Sequence, residues 1–208
     1  ESILEELIEF NIPVYISDDS SENNTELLIK ELKSKHGLLY YRKNEVRFGH
    51  DLNCINTITF PKEKYVWYLG DSMIIEPGSI QHLLKYIEND DFDFICCNAG
   101  GRDLNIESRI FTDKREIFEN LCWHLTLTGA TIYNKEKLEG LLDIDISKFK
   151  NFPQTAIIFE RLLVENSNLY WINKRLIRNN PNKTSYWSNN VFNVFIEDLS
   201  SFVFNLSK

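Results

Sequence analysis

The sequence predicts an α/β fold: a mainly parallel sheet with helices on both faces, and a helical extension at the C-terminus. Three observations carry this expectation. Short apolar runs of strand length alternate with stretches of helical periodicity as far as residue 100. Two of those runs leave through acidic clusters, where an open parallel sheet presents its loops. The 208 residues are 43% hydrophobic and 26% charged. Such a chain can bury a full sheet, so a disordered, fibrous or coiled-coil protein is excluded.

The elements follow in order. Ile3, Leu4, Leu7, Ile8 and Phe10 recur at helical spacing, and Pro13 cannot continue that helix. Residues 13–17 read as a short buried strand through Val14 and Ile16, leaving through Asp18-Asp19-Ser20-Ser21. Thr25 can cap a helix carrying Leu27, Leu28 and Leu32, which Gly37 ends. Residues 38–42 are the second strand. Gly49 sits in a loop before a short helix through Leu52, Ile55 and Ile58, closed by Pro61. Residues 65–69 are an aromatic-rich strand running into Gly70-Asp71-Ser72. Pro77-Gly78-Ser79 is a turn and cap for the stripe Ile80, Leu83, Leu84 and Ile87, and 92–98 is the next strand.

Past Gly100-Gly101 the pattern loosens. Asp113 to Glu116 reads as a capping box on a helix to Leu121. A strand over 130–133, helices over 135–142 and 154–165, and a last strand over 169–172 follow. An aromatic-rich helix runs from Tyr186 to the end. The expected division is 1–100, a nucleotide-type half, and 101–208, a second half with the C-terminal helix, within one domain.

Charge narrows the function. Lys and Arg number 23, Asp and Glu 31, for a net charge of −8, which argues against nucleic acid as a partner. Cys54, Cys96, Cys97 and Cys122 form neither a disulfide framework nor a metal knuckle, and read as reduced, mostly buried thiols. No basic, apolar leader is visible, and no run approaches the roughly 18 apolar residues of a membrane span. The expected location is cytoplasmic. Asn-x-Ser/Thr triplets at Asn23, Asn182 and Asn205 are expected by chance in an Asn-rich chain.

Asp18-Asp19 and Asp71 sit at strand exits, where carboxylates can accept from a nucleoside or hold a divalent cation on a diphosphate. The plainer reading of each alone is turn or cap chemistry. Asp91-Phe92-Asp93-Phe94 reads as a solvated face with both Phe rings buried, and Asp143-Ile144-Asp145 as surface.

The series Asp18-Asp19-Ser20-Ser21, Tyr41-Arg42-Lys43-Asn44, Gly49, Asn53, Tyr65 through Asp71 and Pro77-Gly78-Ser79-Ile80 resembles the family 2 glycosyltransferases of the GT-A fold. The likeness is especially to bacterial enzymes of capsule, O-antigen and related surface polysaccharides, and it covers residues 12–95. The resemblance implies an inverting transfer of a sugar from a nucleotide donor, usually a UDP-sugar, to a hydroxyl of a surface polysaccharide or lipid-linked glycan. Asp18 would accept from the base and Asp19 would support it. Asn44, Gly49 and Asn53 would shape the nucleotide pocket, although a turn glycine and a helix cap explain the last two equally well. Asp71 would touch ribose or the metal.

The chain departs from that pattern in three places. The family's opening strand, which wraps the nucleotide, is absent, so a preceding segment is expected to supply it. The Asp-x-Asp position reads Asp71-Ser72-Met73, which puts a Mn²⁺ or Mg²⁺ cofactor in doubt, because Asp71 alone remains as metal ligand. The position of the general base reads Asn151-Phe152-Pro153-Gln154. The remaining candidates are Asp145, which we favour, Asp143 and His124, with Glu160 inside a helix. The competing expectation is a non-catalytic GT-A-like binding or assembly subunit with a degenerate metal motif.

Trp123, Trp171, Tyr186 and Trp187 could face sugar rings or be core. Lys174, Arg175, Arg178 and Lys183 form a basic patch after the last strand, read as a solvated loop or as a partner for phosphates. The apolar C-terminal helix is expected to pack on the domain or dimerise before it rests on a membrane's inner face.

Overall fold

The computed structural model describes residues 3–206 except 23 and 89. The Asn23 triplet therefore lies outside the described residues. The helices are α1 (Leu4–Glu9), α2 (Asn24–Lys35), α3 (Gly49–Thr59), α4 (Ser79–Ile87), α5 (Lys114–Leu125), α6 (Pro153–Leu162) and α7 (Leu199–Asn205). The strands are β1 (Val14–Asp18), β2 (Leu39–Lys43), β3 (Tyr65–Trp67), β4 (Met73–Ile75), β5 (Phe94–Gly100), β6 (Arg109–Phe111), β7 (Thr131–Asn134) and β8 (Leu169–Asn179).

The α/β alternation expected up to residue 100 is present, with β4 added between β3 and α4. Parallel pairing joins β1 to β2 and the two long strands β5 and β8. Short strands run against them: β7 lies between β3 and β5, and β4 and β6 both pair with β8. The strand order is β3-β7-β5-β8-β4. One hydrophobic core runs from Cys54 to Phe202 through both halves, and a smaller one joins Ile29, Leu32 and Leu39 under β1 and β2.

Among the described residues β1 pairs only with β2, and β3 only with β7. An apolar slot of about 560 Å³ lies between them, lined by Val14 and Tyr15 on one side and Val66 and Trp67 on the other. Leu83 and Ile87 of α4 floor it.

The structure departs from the expected elements in several places. The last strand extends past 172 to Asn179, so Lys174, Arg175 and Arg178 stand on β8 and not on a loop. The β5–β8 register shifts around Asn98, and that irregularity hid the strand by breaking its alternation. The helix expected over 135–142 is one 3₁₀ turn, Lys135–Lys137, because Leu138 turns into the core and Gly140 takes φ +77°. The C-terminal helix is broken into a 3₁₀ turn (Tyr186–Asn189), a π turn (Asn193–Asp198) and α7. Asp93 is buried and not solvated: its carboxylate meets Arg161 at 2.9 Å and accepts from the Asn168 amide. Phe92 and Phe94 are buried as expected, and Asp91 pairs at the surface with Lys64 and Lys137.

Asp113 caps α5 through the Arg115 amide, but Glu116 turns to Arg109 instead of closing the box. The four cysteines are free thiols; burial pushes Cys54 and Cys96 up to about 12, so neither is a nucleophile at neutral pH. Among the described residues no helix is long and apolar enough to cross a membrane.

Candidate active site

The carboxyl ends of β1 and β2 lie side by side, with Asp18 opposite Lys43. Parallel pairing therefore delivers Asp18, Asp19 and Asn44 to one place, and the N-terminus of α3 meets them there. Asp19 holds the junction. It accepts from Asn44 Nδ2 (2.9 Å) and from the backbone amides of Phe48 and Gly49 (2.8 Å each). These amides open α3, whose own N-cap residue, Phe48, makes no side-chain cap. Asp19 is thus a helix cap supplied from about thirty residues away, and its charge suits the positive end of the helix dipole. Gly49 takes φ +75°, and a Cβ there would meet no neighbour, so the backbone angle and not crowding requires glycine.

Asn53, one turn into α3, completes the network. Its Oδ1 accepts from Ser17 Oγ (2.8 Å) and from Asn44 Nδ2 (3.0 Å). The structure therefore brings together five of the sequence-predicted residues: Asp18, Asp19, Asn44, Gly49 and Asn53. Asn53 is not a helix cap; it clamps the loop to the helix.

Asp18 is buried, and both its oxygens are engaged, one by the Ser20 amide (2.9 Å) and one by Tyr41 Oη (2.8 Å). Burial alone would push its pKa up, but the hydrogen bonds from Ser20 and Tyr41 hold it below the ordinary value. Burial and Asp18 push the Tyr41 hydroxyl up to about 12, so it stays a donor. Each carboxylate oxygen has two lone pairs, which leaves Asp18 capacity for an incoming N–H. Tyr41 joins this network although sequence reasoning quoted it without a role; its position two residues before the exit of β2 was the available signal.

Asp71 is placed elsewhere. Its side chain is 81% exposed on the loop between β3 and β4, and Lys183 Nζ stands 3.0 Å from Oδ2. Ser72 and Met73 offer no further carboxylate, and among the described residues no group of three or more His, Cys, Asp or Glu could hold a metal. The residues present do not fit a divalent cation held by the protein itself.

The base candidates separate clearly. Asp145 is exposed and caps the 3₁₀ turn Ile146–Phe149, accepting from the Ser147 amide and from Ser147 Oγ (2.6 Å). These bonds lower its pKa. Asp143 is exposed just before it. His124 is core: its Nε2 lies 2.8 Å from the Cys97 carbonyl and its ring meets Trp171 edge-on. Burial lowers its pKa. Gln154 is buried in α6, with its amide on the Thr126 carbonyl. The turn before α6 is tied to the nucleotide side by Asp51, which accepts the Asn151 amide at 3.1 Å through both oxygens. No sequence motif announced Asp51.

Of the aromatic candidates, Trp171 is fully buried core, donating to the Ile106 carbonyl. Trp123 is half-exposed, with Arg102 over its ring and Phe195 beside it, and Trp187 packs on Phe195 from another side. The Tyr186 side chain lies outside the described residues. The C-terminal segment packs on the domain through Val194 and Phe202, while Phe192 and Phe204 face solvent.

Residues 1–149 match Glycosyl transferase family 2. The chain belongs to that family. The family 2 chain is 23% identical over 195 residues to Abequosyltransferase RfbV of Salmonella typhimurium, covering 83% of this chain and 58% of the relative. S. aureus TarS 1–349 in complex with UDP-GlcNAc matches with TM-score 0.66 at 14% identity, over 85% of this chain and 51% of that one. The same protein in complex with UDP gives TM-score 0.64 over 80% and 50%. At such identities the solved structures establish the shared GT-A fold. The family 2 chain described here spans little more than half the length of these relatives.

Proposed function

We propose that this chain forms the donor-binding part of an inverting glycosyltransferase that moves a sugar from a nucleoside diphosphate, UDP first among them, to a hydroxyl of a surface polysaccharide or lipid-linked glycan. The observation that carries the reading is the closed network at the ends of β1 and β2. Buried Asp18 and half-buried Tyr41 form a hydrogen-bonding corner, and Asp19, Asn44 and Asn53 fix the loop into α3 beside it. Such a corner suits the polar edge of a base. Both relatives above are glycan-related: one is named an abequosyltransferase, and the other is seen with UDP-GlcNAc.

In the reaction the acceptor oxygen attacks the anomeric carbon from the face opposite the diphosphate. The new O–C bond forms as the bond from carbon to diphosphate oxygen breaks, and the nucleoside diphosphate leaves with the electron pair. The acceptor proton passes to a carboxylate. We assign that role to Asp145, with Asp143 beside it, on the segment that leads into the Asn151 turn clamped by Asp51. Asp145 would first have to release Ser147. The chain's location at a cytoplasmic membrane face, and pairing of two copies, would use the exposed side of the C-terminal segment around Phe192 and Phe204.

The test is UDP binding by calorimetry on the full-length protein. Asp18→Ala should weaken binding at least about tenfold, the scale of a lost hydrogen bond to a charged group. Equal binding by Asp18→Ala and the parent would remove the assignment.

A further inference from the structure

The basic patch resolves into separate partners. Arg175 is committed to Asp103, and Arg178 to Glu76 at 3.2 Å. Lys174 stands near His82, whose protonated form burial and then this lysine disfavour. Lys183 alone of the four is aimed at Asp71.

The aim is built in by the backbone. β4 and β8 pair antiparallel, with Met73 opposite Asn179. One step further the Asn180 amide donates to the Ser72 carbonyl at 2.7 Å. The chain then turns on itself: the Lys183 amide donates to the Asn180 carbonyl and the Asn182 amide to Asn180 Oδ1. The loop carrying Asp71 and the turn carrying Lys183 are therefore stitched together through the sheet.

As a contributor to stability this ion pair counts for little, because both side chains face water. Its position matters more. A nucleoside diphosphate approaching Asp71 meets a carboxylate in a chain of net charge −8, so a cation is required there. Around Asp71 the described residues supply one carboxylate, too few for a divalent cation held by the protein itself, and the Lys183 ammonium already pairs with that carboxylate. An ammonium has three N–H donors, so it can keep one on Asp71 and direct the others to phosphate oxygens.

We propose that Lys183 is the cation for the donor's diphosphate, bridging Asp71 and the phosphate oxygens, so that donor binding does not depend on a divalent metal. The proposal rests on the reading that this chain binds a nucleoside diphosphate beside Asp71.

The experiment titrates UDP, GDP and dTDP into the full-length protein by calorimetry, in EDTA and in excess Mn²⁺. The expected result is one nucleotide whose affinity is the same, within about twofold, in both buffers. In EDTA, Lys183→Ala should weaken it by about tenfold or more, as loss of a charge-assisted contact predicts. Lys183→Arg should retain most of the affinity, because it keeps the charge. Thermal unfolding of Lys183→Ala should match the parent, which separates a binding role from a structural one. Binding that requires Mn²⁺ and is indifferent to Lys183→Ala would overturn the proposal while leaving the donor reading intact. Failure of all three nucleotides in both buffers would overturn the donor reading and this proposal with it.

Discussion

Replacing Arg161 with Met should destabilise the protein by about 3–5 kcal/mol, the cost of leaving a buried carboxylate without its cation. Asp93 is 2% exposed and Arg161 11%, and their contact is 2.9 Å. Asp93 also joins the ends of two strands: its Oδ2 accepts the Asn168 amide, and its own amide donates to Asn168 Oδ1. Asp93 immediately precedes β5, at the opposite end of that strand from the loops that face ligand. Urea unfolding should therefore show the full loss, while UDP affinity of the folded fraction stays unchanged. The double variant Asp93→Asn, Arg161→Met should recover part of the stability, because it removes the orphaned charge. A loss below about 1 kcal/mol in the single variant would show that the pair is solvated, as Asp91 beside it is.

Asp19→Ala should damage the site more than the fold. Three donors lose their acceptor together: the Asn44 side chain and the amides of Phe48 and Gly49. The expected cost is about 1–3 kcal/mol, the range for a lost charged acceptor and helix cap. Donor affinity should fall by about tenfold or more, because Asn44 and Asn53 lose their alignment even though Asp19 need not touch the nucleotide. Asp19→Asn keeps one acceptor oxygen and should lie between. The pH dependence has a definite sign. Burial would push the Asp19 carboxyl up, but the bonds from Asn44, Phe48 and Gly49 hold it below its ordinary 3.8. Its stabilisation is therefore complete above that value and is lost as pH falls through the lowered one. The difference between Asp19→Ala and the parent in urea midpoint should be constant from neutral pH to about pH 5 and shrink below it. A difference independent of pH would mean that the charge is not the source.

The fold was legible in the sequence where a single strand or helix face carried the signal. Val14 and Ile16 pack half-buried on the smaller core, Val66 is buried, as are Ile80 and Leu83 of the α4 stripe, and each segment ends in a turn residue. It was not legible where tertiary contacts override local pattern. β8 hides behind its irregular pairing at Asn98, and Gly140 stops a helix that its neighbours would otherwise favour. Asp93 reads as surface because a lone Asp between two Phe residues is indistinguishable from one whose partner, Arg161, lies 68 residues away.

The site divides the same way. Asp18 and Asp19 were legible as carboxylates at a strand exit, whereas Asn44, Gly49 and Asn53 came into view only through the family resemblance. Their roles were not legible. Only coordinates show Asp19 capping a distant helix, or Tyr41 donating to Asp18. Likewise Lys183 belonged to a generic basic patch until the β4–β8 pairing set it against Asp71.

The most direct measurement is a crystal structure of the full-length protein with UDP. The uracil edge is expected against Asp18 and Tyr41, and the diphosphate within ion-pair reach of Lys183 beside Asp71. UDP seated in the slot between β1 and β3, or bound with the Asp18 corner empty, would contradict it.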